Sequence, residues 1–190
     1  QFAFGAIRAG QPVLSIIDVE GDTVREIELS QLDEVFNPSW SPDGQRIAFS
    51  ALKGGFTDLY VYDLRSDALR RLTTGPYSDS EPAWSPDGRS LAFATDRFTT
   101  DIDRLSIGDL RLASIDVSSS TVRQLAPAEG GKHISPQWSP DGRSLYFIGD
   151  ASGISNLCRL DVASGRVERL TNVQSGVSGI TARRPALSVA

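Results

Sequence analysis

The chain has 190 residues, 39% of them apolar and 23% charged, a balance that excludes a disordered or collagen-like chain. No run approaches the roughly 18 unbroken apolar residues of a membrane helix, and a net charge of −5 offers no attraction to phosphate backbones or anionic lipid. The single cysteine, Cys158, excludes an intramolecular disulfide and any zinc site built on paired cysteines.

Gln1 opens the chain and methionine is absent, so the native start is expected to lie outside it. Phe2-Ala3-Phe4, a strand carrying Leu14 and Asp18, the turn Glu20-Gly21-Asp22 and the strand Val24-Arg25-Glu26-Ile27 follow in order. A phrase then appears three times: Trp40-Ser41-Pro42-Asp43-Gly44, Trp84-Ser85-Pro86-Asp87-Gly88 and Trp138-Ser139-Pro140-Asp141-Gly142. After it come Ile47-Ala48-Phe49, Leu91-Ala92-Phe93 and Leu145-Tyr146-Phe147, then Leu59 and Asp63, Leu112 and Asp116, Leu157 and Asp161. On this ruler residues 1–36 are a partial repeat, 37–80 a full one, 81–134 one with a loop insertion, 135–179 a third, and 180–190 the start of the next. In that last piece Leu187 stands in place of the repeat tryptophan.

Each unit holds four short runs of β-branched, aromatic and aliphatic residues punctuated by Pro, Asp, Gly and Ser, which reads as four strands. In Ser-Pro-Asp-Gly the proline presets φ and the glycine accepts a left-handed conformation, so the first strand folds back into the second. The recurrent Asp18, Asp63, Asp116 and Asp161 are expected to bond to the turn that follows each of them. Four-stranded antiparallel units of roughly 44 residues bury both faces by packing radially, as in a propeller. Trp40, Trp84 and Trp138 are expected in the interfaces between units.

The tryptophan-to-glycine phrase, with a basic residue and an Ala-Phe or Tyr-Phe strand after it, resembles the TolB-like propeller repeat, a WD40-like blade, over essentially the whole chain. The resemblance implies an all-β propeller in a periplasmic or secreted bacterial protein. Similar blades occur in prolyl oligopeptidase and tricorn-type peptidases. Three complete repeats plus two partial ones are expected to form a segment of a larger ring of six to eight blades, with a closed four-bladed ring as the alternative.

Variable loops on a rigid ring are where binding sits. The stretch from Phe93 to Asp116 is nine residues longer than its counterpart from Phe49 to Asp63, and it contains Asp96, Arg97, Asp101, Asp103, Arg104 and Asp109. A solvated loop and a partner-contacting loop are both compatible with it. Asp101, Asp103 and Asp109 match three positions of an EF-hand loop, but Ser106 and Leu112 stand where Gly and a bidentate Glu are required, so no metal is expected. On the same face Asp79, Glu81, Lys132, His133 and Arg184 enter the first strands and form a candidate polar rim. His133 is expected to be an exposed loop residue and Cys158 an inert packed thiol.

No Gly-x-Ser-x-Gly elbow, two-histidine zinc site, P-loop or dinucleotide fingerprint is present. The sequence therefore points to a noncatalytic propeller, without cofactor, that scaffolds protein interactions in the bacterial cell envelope. Its expected partner is another protein or further domains of a longer chain, with no nucleic acid and no membrane insertion by this segment. The alternative is a substrate-gating or docking propeller of a larger peptidase.

Overall fold

Each Ser-Pro-Asp-Gly phrase closes one and the same turn. In the first copy Gly44 N–H donates to Ser41 O at 2.9 Å, Ser41 N–H donates to Arg46 O at 2.9 Å, and the Ser41 hydroxyl donates to the Asp43 carboxylate at 2.5 Å. Ser85, Asp87 and Gly88 repeat this set, as do Ser139, Asp141 and Gly142. The three glycines hold φ of 66°, 68° and 69°, a region in which a side chain would be strained. Pro42, Pro86 and Pro140 occupy the corner whose φ their rings already fix.

The computed structural model describes residues 1–125, 131–178, 180 and 187–189. The first sheet is β1 (Phe2–Arg8), β2 (Gln11–Ile17) and β3 (Thr23–Glu28). The second is β4 (Glu34–Trp40), β5 (Arg46–Lys53), β6 (Phe56–Asp63) and β7 (Ala68–Arg71). The third is β8 (Asp79–Trp84), β9 (Ser90–Thr95), β10 (Arg111–Asp116) and β11 (Val122–Gln124), and the fourth is β12 (His133–Trp138), β13 (Ser144–Gly149), β14 (Asn156–Asp161) and β15 (Val167–Arg169). Every sheet is antiparallel, with its strands paired in chain order.

Three cores lie between the sheets, each shared by two neighbours. Leu14, Ile16 and Ile27 meet Ile47, Phe49 and Tyr60; Ala48, Leu59 and Val61 meet Trp84, Leu91 and Phe93; Ala92 and Leu112 meet Leu145, Phe147 and Leu160. The strand period of two produces this arrangement: Ile47 and Phe49 go to one side of β5 and Ala48 to the other, so large side chains face small ones across each interface. Each fully buried Phe contributes roughly 1.5–3 kcal/mol of burial free energy. Strands β1 and β4, β4 and β8, and β8 and β12 pack in succession, while the described strands of the first and fourth sheets do not touch. Among the described residues the sheets form an open fan, a propeller segment, with no closure between the first sheet and the fourth.

The indole groups fasten neighbouring sheets. Trp84 Nε1–H donates to Ser39 O at 3.1 Å and Trp138 Nε1–H to Ala83 O at 3.2 Å, each reaching the innermost strand of the sheet before it. Arg46 lies over the Trp84 ring at 4.6 Å and donates to Gly88 O at 3.2 Å. The recurrent aspartates do bond to their turns: Asp63 accepts from Arg65 and Ser66, Asp116 from Ser118 and Ser119, Asp161 from Ser164, and Asp18 from Glu20 and Asp22. The hydroxyls of Ser118 and Ser119 and the Ser119 amide hold the Asp116 carboxyl down to about 2.

Candidate functional site

One feature of the innermost strands escaped the sequence. β4, β8 and β12 each carry a bulge at the residue before the recurrent proline, and Asn37, Glu81 and Ser135 there hold φ of 48°, 57° and 53°. A residue before proline ordinarily stays extended, so three left-handed ones in register mark a backbone fixed by its surroundings. Asn37 and Glu81 line a cavity of about 360 Å³ between the inner strands, together with Phe36, Lys132, Ile134 and Ile180. The Glu81 carboxylate accepts the Ser135 N–H at 2.5 Å, which ties the third sheet to the fourth. Burial pushes the Glu81 carboxyl above its ordinary range, against the lowering effect of the Ser135 bonds. Lys132 is exposed, its ammonium 4.0 Å from Asp150.

The inserted loop is anchored by groups expected at the rim. Asp79 is fully buried, pairs with Arg97 and accepts the Thr95 hydroxyl; the Arg97 guanidinium also lies 5.1 Å from the Tyr77 ring. Asp96, also buried, accepts Ser78 N–H and the Thr100 hydroxyl, each at 2.8 Å. Asp79, Asp96 and Arg97 thus form the root of the insert, where low dielectric strengthens their bonds. His133 is likewise buried, at 4% exposure, and its ring meets Phe147 edge-on at 4.9 Å. The exposed position expected for it is corrected: β12 begins at His133, which pairs with Gly149 of β13 and packs its ring on Phe147. Burial, then the Arg111 charge, push its pKa down to about 4. Arg184 lies outside the described residues.

Beyond the root the insert is a short hairpin closed by Asp101 and Ser106, whose amides exchange bonds of 2.9 and 3.0 Å. Asp103 is exposed and Asp101 half-buried beside Arg104. Among the described residues no three His, Cys, Asp or Glu side chains gather where they could hold a metal ion. The hairpin instead displays apolar side chains: Leu105 is 89% exposed and Ile107 86%, with Phe98, Ile102 and Phe56 also open to solvent. Below them is a cavity of about 400 Å³ lined by Phe56, Tyr77, Ile102, Leu105 and Ile107. Thr57 and Ser78 line this cavity and the inner one alike, so the two adjoin. The sequence signal for this tip is Ile102, Leu105 and Ile107 interspersed among Asp101, Asp103, Arg104 and Asp109 in a loop too short to bury them.

A model of the TolB beta propeller domain matches residues 1–101. The chain is 27% identical over 171 residues to dipeptidyl-peptidase 5 of Porphyromonas gingivalis, covering 78% of this chain and 22% of that protein. It is 32% identical over 140 residues to the Tol-Pal system protein TolB of Bordetella pertussis, covering 74% and 30%. The chain therefore spans less than a third of these curated relatives. The crystal structure of TolB from Acinetobacter baumannii superposes with a TM-score of 0.70 at 22% identity, over 89% of this chain and 40% of that one.

Proposed function

The chain belongs to the TolB beta propeller domain family, and from that premise we propose that it is a noncatalytic scaffold whose loop face holds another protein, or another domain of a longer chain, in the bacterial cell envelope. The observation that carries this reading is the pair Leu105 and Ile107, exposed at the tip of a hairpin rooted by the buried Asp79–Arg97 pair. Apolar side chains held in water on an anchored loop are stabilised when a partner covers them. The adjoining cavities extend the surface toward the inner strands, where Glu81 and Lys132 supply polar contacts; Asp101 closes the hairpin and Asp103 is exposed within it. The periplasmic or secreted location rests on the resemblance to TolB, a Tol-Pal system protein.

The likeness to dipeptidyl-peptidase 5 over 78% of the chain favours a second reading, in which the same face gates or docks substrate for a hydrolase domain. The Cys158 thiol supports no nucleophile within the segment: it is buried in β14, and burial raises its pKa.

A photo-crosslinking residue at Leu105, in the full-length protein within its host, tests the proposal, with Asp87 on the opposite turn face as the control. A protein adduct at 105 and none at 87 is expected; equal capture at both positions, or none at 105, overturns it. A fluorophosphonate probe on the same protein separates the readings, since covalent labelling outside this segment identifies the peptidase.

A further inference from the structure

The groove under the inserted hairpin is built from three connections of the second and third sheets, both of which have all four strands. Phe56 comes from the turn between β5 and β6, Tyr77 from the connection between β7 and β8, and Ile102, Leu105 and Ile107 from the hairpin itself. The polar floor is already engaged: Asp96 accepts from Ser78 and Thr100, and the Thr100 hydroxyl oxygen accepts Gly108 N–H at 3.0 Å. The hairpin stem is tightly closed, because the Thr99 hydroxyl donates to Asp109 O at 2.6 Å and a Cβ added at Gly108 would strike Thr99. The apolar walls are therefore held in place before any partner arrives, which lowers the ordering cost of binding. At about 400 Å³ the groove is at the small end of ligand pockets, a size for a few side chains and not for a folded domain.

Its charge is the second, independent observation. The charged residues in the lining, Asp96 and Asp101, are both acids, and Asp103 and Asp109 stand exposed on the same hairpin. The neighbouring cations are turned elsewhere or already engaged. Arg97 is bound to Asp79 and lies over the Tyr77 ring, Arg111 donates to Gly131 O, and Arg104 lies 3.5 Å from Asp101. Lys53, across the strand from Phe56, is outside the lining. An apolar groove with an acidic border favours cations beside the apolar anchor and disfavours an anionic lipid surface.

On the scaffold reading, on which this rests, we propose that the groove takes a cationic-apolar peptide segment of the partner. Large aliphatic or aromatic side chains of the segment seat between Phe56, Tyr77 and the hairpin tip, and its lysine or arginine side chains face Asp101 and Asp103. The apolar anchors supply affinity, and the acids select among partners by charge.

Fluorescence anisotropy of dye-labelled peptides with the purified full-length protein tests this. The probes are Gly-Ser-Lys-Leu-Phe-Lys-Leu-Lys-Gly-Ser and the same peptide with glutamate in place of each lysine. At low salt the lysine peptide is expected to bind roughly tenfold more tightly, a preference that shrinks as ionic strength rises. That comparison needs no variant. Leu105→Ser, at an exposed site, is expected to weaken the lysine peptide roughly tenfold. Asp101→Asn, which keeps an oxygen for the Arg104 N–H, combined with Asp103→Lys is expected to remove the preference. Equal binding of the two peptides, a preference for glutamate, or a preference that survives both charge changes overturns the proposal. So does binding that Leu105→Ser leaves unchanged, or Leu105-dependent binding of phosphatidylglycerol vesicles, because the occupant is then a lipid surface. A protein adduct at Leu105 without the lysine preference leaves the scaffold reading standing and overturns the cationic chemistry alone.

Discussion

His133 shows how far a residue's setting departs from its place in the sequence. A Gly-rich approach suggests a solvated loop, but the ring packs on Phe147 and its pKa falls to about 4. Above about pH 6.5 the imidazole is neutral in both folded and unfolded chains. As pH falls below that, the unfolded chain takes up a proton that the folded one refuses, so stability is lost progressively down to about pH 4, by up to about 3 kcal/mol. His133→Phe is therefore expected to flatten the decline in melting temperature between about pH 7 and about pH 4; an equally steep decline in the variant refutes the assignment. Asp116 acts lower on the scale: its contribution is present above the ordinary carboxylate value and is lost as pH falls through about 2. That role was legible because the acid recurs beside a Ser-rich turn. His133 was not, because its burial depends on Phe147 from another strand.

At the scale of elements, local chemistry was readable wherever it is self-contained. The Ser-Pro-Asp-Gly turn needs nothing beyond its own atoms, and the period-two pattern of Ile47, Ala48 and Phe49 assigns each side chain to its interface. The bulges at Asn37, Glu81 and Ser135 were not readable, because a residue before proline favours the opposite backbone region and only contacts between neighbouring sheets hold it there. The insert was half legible: its length and charges marked it, but which charges are structural depends on burial. Asp79→Asn weakens the buried pair with Arg97 and is expected to cost about 2–4 kcal/mol, with faster amide exchange over residues 99–108. Asp103→Asn, at an exposed site, is expected to change stability by less than about 0.5 kcal/mol. Comparable losses in both variants contradict the division of the insert into a structural root and a displayed tip.

For the whole molecule, stability is distributed over interfaces between neighbouring sheets, three of them among the described residues, each with its own core. On the proposed reading, function belongs to what the fan displays on its loop face, the hairpin tip that carries Leu105 and Ile107. Radial stacking itself is tested most directly by nuclear Overhauser contacts among aromatic and methyl protons. Contacts are expected from Phe49 to Leu14 and Ile16, from Ala48 to Leu91 and Phe93, and from Ala92 to Leu145 and Phe147, with none joining the first sheet to the fourth. Contacts between Leu14 and Phe147, or Ala48 and Phe49 both facing the same neighbouring sheet, would contradict the fan.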